Sequence, residues 1–202
     1  MPSIPSQPER RKPQQARATL RRANFLEVAA RLIGETGYDA VTMKAIAEAA
    51  GASIGTLYDY FPDKPSLALG LLAQYADELD NYWAEVLQEP RIPSGVAFAD
   101  FLVDALLEFV RSRPAYLPLL DSSVAYARTA AARQPLRSTI ALALQKTYPQ
   151  LAEQAALLAA NVVVELIKAL LAMYKRGSPK ERQIAVHEFK KLIRLYLADL
   201  AR

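Results

Sequence analysis

Two short helical patterns joined by a tight turn at Gly51 constrain this chain more than any other feature. The first opens at Thr42, a residue type that caps helix N-termini, and it ends at Gly51, where a positive φ costs little. The second opens at Ser53, another N-capping residue type, and runs for fewer than three turns until Pro62 breaks it. Residues 42–61 are therefore predicted to form a helix-turn-helix.

The second short helix has two faces with different chemistry. Leu57 and Phe61, four residues apart, lie on one side with Ile54 beside them, and this side is predicted to be buried. The other side is small and polar, and it carries Gly55, Thr56, Tyr58 and Asp59. Because Gly costs roughly 1 kcal/mol relative to Ala inside a helix, Gly55 indicates that another surface comes close to the backbone there.

Residues 25–67 carry a longer set of matching features. In order, they are an apolar helix that ends at Gly37-Tyr38, then Thr42, Ile46-Ala47, Gly51, Thr56-Leu57-Tyr58, Tyr60-Phe61 and Lys64. With these features the segment resembles the N-terminal DNA-binding domain of the TetR/AcrR family of bacterial transcriptional regulators. The rest of the chain fits that family only in its length and helical character.

The resemblance implies two groups of DNA-contacting residues. Those expected to face base edges are Lys44, Ser53, Ile54, Gly55 and Thr56. Those expected to hold phosphates are Thr42, Tyr58, Tyr60 and Lys64. The helical wheel places Ile54 nearer the buried side, so a thymine methyl is the contact expected for it. Lys64 follows Asp63, a predicted helix cap, and therefore lies beside the free amides of a helix N-terminus, where a phosphate would fit.

Positive charge is concentrated at the N-terminus. Residues 1–22 contain six Arg or Lys and one Glu, a net charge of +5, whereas the whole chain carries +4, so residues 23–202 sum to −1. Four prolines in the first thirteen residues predict that residues 1–20 form a flexible basic arm. Such an arm can bind phosphates without regard to sequence, or reach a minor groove.

The composition favours an all-α fold. The chain is 52% hydrophobic and rich in Ala and Leu with few β-branched clusters, and prolines punctuate its helical patterns. We expect about nine helices, in a three-helix DNA-binding domain over residues 21–66 and a larger helical bundle over residues 67–202 that binds ligand and dimerises. The long apolar stretch 155–174 is predicted to be a core helix rather than a membrane span, because Asn161, Glu165 and Lys168 form a polar stripe on it.

Several kinds of chemistry are excluded or disfavoured. The chain has no cysteine, which rules out disulfides and thiolate metal sites, and its one histidine, His187, leaves no histidine cluster for a metal. No glycine-rich phosphate loop or Ser-His-Asp set is visible. We therefore expect no enzyme activity, no cofactor and no metal. The polar N-terminus lacks a secretory signal, so the expected location is the bacterial cytoplasm, on the nucleoid when DNA is bound.

The last two helices are predicted to form a homodimer interface. The final helix has an apolar stripe at three- and four-residue spacing, and the dimer contacts expected from it are Phe189, Leu192, Ile193 and Tyr196. A two-fold arrangement would bury this stripe together with the apolar helix before it. The alternative is that these side chains pack only within one subunit.

The larger domain contains aromatic and polar residues that could bind a small-molecule effector. The candidates are Trp83, Phe98, Phe101, Tyr116, Tyr126, Asn161 and Glu165. Aromatic residues at helical spacing also form ordinary cores, and Glu165 could simply pair with Lys168 three residues on.

The combined interpretation is a dimeric regulator, a repressor by expectation, that binds a pseudo-palindromic operator and releases it when the effector binds. The first alternative is a helical scaffold that binds proteins but not DNA. A small helical enzyme is a further alternative, although no catalytic set supports it.

Overall fold

The residues that the structure describes are all helical or in short connections. The computed structural model describes residues 11–87, 93, 96–122 and 134–200. Its helices are α1 (Arg11–Thr36), α2 (Met43–Ala49), α3 (Ile54–Tyr60), α4 (Lys64–Val86), α5 (Val96–Arg111), α6 (Tyr116–Asp121), α7 (Gln134–Thr147), α8 (Glu153–Arg176) and α9 (Pro179–Leu200). The predicted all-α class and the predicted helix number are confirmed for this part of the chain. Tyr126, one of the effector candidates, lies outside it.

Side-chain caps set the boundaries of the short helices. Thr42, Ser53 and Asp63 each accept a hydrogen bond from the backbone N–H three residues further on, at 3.1, 3.1 and 2.7 Å. Gly51 has a φ of +63°, the left-handed conformation that ends α2. All four features were predicted. The hydrogen bonds that Asp63 accepts also hold the pKa of its carboxyl below the usual value.

The predicted flexible arm over residues 1–20 is too long. α1 begins at Arg11, so residues 11–20 are helical. They contain good helix formers after Pro13, and Pro13 lies in the first turn, where backbone N–H groups have no helical partner in any case. The side chains of residues 15–23 are all exposed, so this part of α1 extends beyond the core.

One helix, α4, belongs to both predicted domains. It continues without a break from Lys64 to Val86 and so crosses the expected boundary at residue 66. Its first turns pack against α1 and complete the core of the N-terminal domain, to which the buried residues Phe25, Ala29, Ile33, Ile46, Leu57, Phe61, Leu67 and Leu71 contribute. A movement of α4 would therefore be felt in both domains.

Polar contacts show that α5 runs antiparallel to both α4 and α9. Glu78 of α4 pairs with Arg113, which lies just after the end of α5. Tyr82, one turn further along α4, donates to the carbonyl of Ala105, which comes before Arg113 in the chain. Between α5 and α9 there are two ion pairs in reversed order, Asp100 with Arg194 (2.6 Å) and Asp104 with Lys190 (2.6 Å). The Arg194 hydrogen bonds hold the pKa of Asp100 below its usual value.

Short loops fix the direction of the remaining helices. α7, α8 and α9 follow one another with loops of a few residues, and α8 packs along both neighbours, so the three alternate in direction. α4, α7 and α9 consequently run one way, and α5 and α8 run the other. α7 also contacts α4, which places two parallel helices side by side.

The long helix α8 packs inside the bundle along one face. By length and apolar composition alone it could cross a membrane, and it is the one such helix among the described residues. The face that is buried consists of Ala156, Ala159, Ala160, Val163, Val164, Ile167, Leu170 and Leu171. A core helix of a soluble bundle has this pattern, although the opposite face of α8 is more exposed than the sequence predicted.

Candidate DNA-binding surface

The outer face of α3 is open to solvent and carries most of the predicted base-contacting residues. Ser53, Gly55 and Tyr58 are exposed, and Thr56 is half-buried. Ile54 is also exposed, at 39%, so the wheel was wrong to place it nearer the core. Leu57 alone among the α3 residues is fully buried, because α3 rests on the domain through a single turn.

Ser53 and Thr56 form a hydroxyl pair at the start of α3. Their side-chain oxygens are 2.8 Å apart, and the Ser53 oxygen also accepts from the Thr56 backbone N–H at 3.1 Å. Each hydroxyl combines one donor with two acceptor lone pairs, so the pair keeps hydrogen-bonding capacity toward an outside partner. Two preoriented hydroxyl groups at an exposed helix N-terminus are suited to a base edge or a phosphate.

No contact within the described protein explains a glycine at position 55. A Cβ added to Gly55 would have one neighbour within 4 Å, the Ser53 side-chain oxygen at 3.9 Å. Alanine would therefore fit and would favour the helix by roughly 1 kcal/mol. The described part of the monomer therefore does not require glycine here, and close approach of another surface stays a prediction.

The two tyrosines after Thr56 have different surroundings. The side chain of Tyr58 is on the exposed face, with 48% of the residue accessible. Tyr60 is half-buried and packs edge-on against the Phe25 ring at 5.6 Å between ring centroids. Tyr58 is thus free to approach DNA, whereas Tyr60 primarily joins α3 to α1.

The start of α2 adds two exposed polar groups. The Thr42 side chain caps the helix and is exposed. The Lys44 side chain is 80% accessible and is 3.8 Å from the Glu48 carboxylate, one turn further on. Exposed pairs of this kind are worth well under about 1 kcal/mol, so Lys44 can leave Glu48 for a stronger anion.

Lys64 does not have the free ammonium that its predicted phosphate contact requires. Its Nζ donates to the carbonyls of Tyr38, Asp39 and Val41 at 3.0, 3.2 and 3.0 Å and lies 4.5 Å from the Tyr38 ring centroid. All three ammonium hydrogens are thereby used. Lys64 holds the loop between α1 and α2 to the start of α4, and its predicted phosphate contact would require it to give up one of these bonds.

The exposed N-terminal turns of α1 supply positive charge instead. Arg17 and Arg21 are one turn apart on this exposed part of the helix, and neither forms an ion pair with a described residue. Arg22 is also exposed but lies over the Phe61 ring, 5.2 Å from its centroid, so it is partly used in packing. The basic segment is therefore in part a helical extension of the domain.

Comparisons with known proteins identify the family of the chain. Residues 25–71 match the family described as bacterial regulatory proteins, tetR family, and residues 96–197 match the tetracyclin repressor-like C-terminal domain. The second match alone spans about half of the chain. The chain belongs to the TetR family. TetR-family proteins are cytoplasmic DNA-binding regulators of transcription; they bind operators as dimers and respond to small molecules.

Individual relatives match over short segments. The HTH-type transcriptional repressor KstR of Rhodococcus jostii is 41% identical over 61 residues, which are 30% of this chain and 29% of that protein. The HTH-type transcriptional regulator UidR of Escherichia coli is 27% identical over 93 residues, 46% of this chain and 44% of that protein. The chain thus matches less than half the length of each of these relatives.

Solved structures match over most of the chain. A tetR-family transcriptional regulator from Streptomyces coelicolor has a TM-score of 0.63 and 25% identity, covering 90% of this chain and 83% of that one. Salmonella enterica GusR has a TM-score of 0.59 and 20% identity, covering 90% and 95%. The latter likeness shows the fold only.

The predicted effector residues of this TetR-family chain divide into core and surface. Trp83, Phe98 and Tyr116 are buried, and Phe101 is half-buried. Asn161 and Glu165 are exposed, so they cannot be the polar anchors of an interior pocket. Glu165 pairs with Lys168 at 2.6 Å, as the alternative had it, and also with Arg137 at 3.5 Å. The polar stripe on α8 faces outward.

A chain of aromatic rings joins the interior of the larger domain to its boundary with the DNA-binding domain. Successive ring centroids are 5.5 to 5.9 Å apart, through Trp83, Tyr82, Phe109, Tyr116 and Tyr75. Burial raises the pKa of Tyr75 to about 12. Sequence reasoning missed Tyr75 and Phe109 as connecting residues, because the signal is a contact between helices and not a motif.

The two domains meet closely at Gly34. A Cβ on Gly34 would lie 2.8 Å from the Pro114 Cβ and 3.3 Å from the Ala115 backbone nitrogen, so the turn between α5 and α6 rests directly on α1. Beside this contact is a cleft of about 510 Å³, lined by residues of α1, α4 and the turn that include Leu26, Ala30, Leu71, Tyr75 and Arg113. The junction is thus tight at one point and open next to it.

The predicted dimer residues also divide between two faces of α9. Phe189 and Ile193 are buried within the monomer, which corrects their assignment as interface residues. Leu192 is 47% exposed, and Tyr196 is half-buried. Large apolar side chains that stay exposed on α8 and α9 are Leu157, Leu158, Met173, Ile184, Leu192 and Leu195. The exposed apolar residues of α9 are therefore Ile184, Leu192 and Leu195, and of these only Leu192 was predicted to be a dimer contact.

Proposed function

We propose that this regulator represses transcription as a homodimer that places α3 of each subunit in successive major grooves of a pseudo-palindromic operator. The observation that carries the proposal is the exposed start of α3, where a hydroxyl pair stands beside a glycine that the monomer does not need. An α-helix fits the major groove, and its N-terminal residues reach the base edges. The repressor-named relatives support the direction of regulation.

Base recognition is assigned to four exposed or half-exposed residues at the start of α3. Ser53 and Thr56 offer hydroxyl groups that can donate or accept, so they can meet a purine or pyrimidine edge. Gly55 lets the backbone approach between them. Ile54, now placed on the outer face, offers an apolar contact to a thymine methyl. Lys44 of α2 reaches bases or phosphates at the groove edge.

Phosphate contacts are assigned to exposed groups around this helix. Thr42 and Tyr58 can donate through their hydroxyls, and Arg17 and Arg21 supply charge from the extended α1. Tyr60 can reach a phosphate only through its hydroxyl, since its ring packs on Phe25. The basic residues 1–22 make strong salt dependence the expected signature of binding.

Dimerisation is assigned to the exposed apolar faces of α8 and α9. Leu158 and Met173 on α8, and Ile184, Leu192 and Leu195 on α9, leave apolar surface in water that a second subunit would cover. A two-fold axis would pair each face with its own copy. Dimerisation is needed for function because one helix in one groove makes too few contacts for specific binding at physiological salt.

Release is assigned to a mostly apolar small molecule that binds the larger domain between residues 80 and 170. The buried Trp83, Phe98 and Tyr116 and the half-buried Phe101 provide apolar surroundings there. The aromatic chain and the ion pair between Glu78 and Arg113 join this region to α4, whose first turns belong to the DNA-binding domain. A coupling of roughly 1 to 3 kcal/mol would weaken operator binding about 5- to 150-fold.

Selection of genomic fragments by the purified chain tests the proposal. We expect recovered fragments to share a palindrome whose half-site centres lie about 34 to 36 Å apart, one helical turn of DNA. The matched control is Thr56→Val, which keeps the side-chain shape and removes the hydroxyl, and it should enrich a less constrained sequence. Recovery of random fragments would favour the scaffold alternative, in which the apolar faces of α8 and α9 bind another protein.

Small-molecule release is tested separately by fluorescence. Trp83 is the single tryptophan of the chain, so its emission reports on the larger domain. Compounds that shift this emission should weaken operator binding, and Phe101→Ala should reduce their effect while the dimer remains intact. If no such compound changes operator affinity, the larger domain acts as a dimerisation scaffold only.

A further inference from the structure

Two hydrogen-bonding groups in the larger domain are buried without a partner in the part of the chain that the structure describes. The indole Nε1 of Trp83 and the hydroxyl of Tyr148 are both shielded from solvent, and neither has a hydrogen-bond partner among the described residues. Buried polar side-chain atoms in folded proteins nearly always have a partner, so each exception requires an explanation. Trp83 offers a donor only, whereas the Tyr148 hydroxyl can donate or accept.

The topology brings these two groups to the same end of the domain. Trp83 is in the last turns of α4, and Tyr148 directly follows the last residue of α7. α4 and α7 run in the same direction and contact each other, so both groups lie toward the same end of the helix pair. This end is the one distant from the DNA-binding domain, since α4 begins in that domain.

Among the described residues, the contacts found near Trp83 are aromatic. Trp83 packs edge-on against the Tyr82 ring at 5.9 Å between centroids, and the Tyr82 hydroxyl is already bound to the Ala105 carbonyl at 3.0 Å. Burial raises the pKa of the Tyr148 hydroxyl. Arg137, the third residue with an unpartnered buried nitrogen, lies at the other end of α7 and pairs with Glu165.

We propose that the effector of this regulator is an uncharged, largely apolar molecule whose oxygen accepts a hydrogen bond from Trp83 Nε1 and shares another with the Tyr148 hydroxyl. This inference rests on the proposed release by a small molecule. Ketones, esters, lactones, amides and alcohols have the required acceptor. A carboxylate is disfavoured, because burying an anion costs far more free energy than burying a neutral oxygen.

The single indole gives a direct test by NMR. Protein labelled with ¹⁵N at tryptophan has one indole N–H resonance, from Trp83. The probes are two matched pairs, 2-acetylnaphthalene with 2-ethylnaphthalene and 2-decanone with decane, together with 2-naphthoate as the anion. We expect at least one ketone to move the indole proton downfield, while its matched hydrocarbon and the anion leave it in place.

Variants locate the two hydrogen bonds. Trp83→Phe and Tyr148→Phe should each weaken binding of that ketone about 3- to 10-fold, the usual worth of one neutral hydrogen bond, and leave hydrocarbon binding unchanged. Tyr174→Phe is the matched control, because it removes a tyrosine hydroxyl near the opposite end of α8. Ketone binding to Tyr174→Phe should equal that of the unmodified protein.

Three results would overturn the inference. In the first, no ketone moves the indole resonance at millimolar concentration. In the second, the hydrocarbons move it as much as the ketones do. In the third, Trp83→Phe and Tyr148→Phe bind the ketone as well as the unmodified protein does. Operator binding measured on the same samples distinguishes failure of the effector proposal from failure of the proposed regulator function. Intact operator binding with any of these results rejects the effector class alone, whereas loss of sequence-specific binding in the unmodified protein rejects the regulator.

Discussion

The two domains of this protein are specified in different ways. In the N-terminal domain, local signals set the structure, since Thr42, Ser53 and Asp63 cap their helices and Gly51 turns the chain. In the larger domain, contacts between residues distant in sequence set the structure. Examples are the ion pairs of Asp100 with Arg194 and of Asp104 with Lys190. A surface built from local signals can be identified in the sequence, whereas one built from distant contacts cannot. The following changes test that contrast, from the largest expected effect to the smallest.

Leu195→Arg should have the largest effect, because it places a charge on the apolar face assigned to the dimer. The residue is 62% exposed, so the monomer should stay folded, while an interface would have to bury an unpaired charge. We expect a monomer in sedimentation at micromolar concentration and a loss of operator affinity on the order of 100-fold or more, as two linked half-sites become one.

Leu142→Arg is the matched control for this change. Leu142 on α7 is 61% exposed, so the two substitutions differ in location and not in accessibility. It should leave both the dimer and operator binding unchanged. A Leu195→Arg protein that remains dimeric would show that the subunits meet elsewhere.

Gly34→Ala should disturb the junction between the domains. Its Cβ would lie 2.8 Å from the Pro114 Cβ and close to backbone atoms, which cannot move as a flexible side chain can. We expect a loss of about 1 to 3 kcal/mol in the free energy of unfolding, typical of overpacking, measured by urea denaturation. Unchanged stability would mean that the turn between α5 and α6 is not held against α1 in solution.

Lys64→Met should lower stability and not act specifically on DNA binding. It removes three hydrogen bonds from an ammonium to backbone carbonyls and keeps most of the side-chain length. The expected loss is about 1 to 2 kcal/mol in the free energy of unfolding, with a salt dependence of DNA binding that stays the same. A smaller salt slope with full stability would instead support the predicted phosphate contact of Lys64.

Gly55→Ala should give the smallest change in stability, and of opposite sign. A Cβ there would make only an ordinary contact with the Ser53 side-chain oxygen at 3.9 Å, so the helix should gain up to roughly 1 kcal/mol. Operator affinity should nevertheless fall, because the added methyl group would separate the α3 backbone from the groove. Retained affinity in a more stable protein would remove close backbone approach from the account.

The sequence was sufficient for the N-terminal domain wherever neighbours decide the outcome. Caps, the turn and the buried Leu57 all depend on residues within one helical turn. The three hydrogen bonds of Lys64 were not predicted, because its carbonyl partners lie 23 to 26 residues away in the chain. The helical structure of residues 11–20 was missed because the prolines were taken to indicate a flexible arm. Pro13 lies in the first turn of α1, where a proline does not break a helix.

In the larger domain, the periodicity of a helix shows its faces but not which face is covered. α9 has apolar residues on two faces, and the buried one proved to contain Phe189 and Ile193 while Leu192 and Leu195 stayed outside. The Asn161 and Glu165 stripe on α8 was expected inside and lies outside for the same reason. Tyr148 could not be found at all, since its only distinguishing property is the missing partner.

The central claim is that the exposed start of α3 reads a DNA sequence. Its most direct test is the affinity of the protein and of Thr56→Val for the selected operator, for operators with one changed base pair per half-site, and for random duplex DNA at physiological salt. The account predicts strong preference for the operator, and in Thr56→Val a loss of about 1 to 3 kcal/mol of discrimination at one position per half-site, with random binding unchanged. Equal affinity of the unmodified protein for operator and random DNA would contradict it.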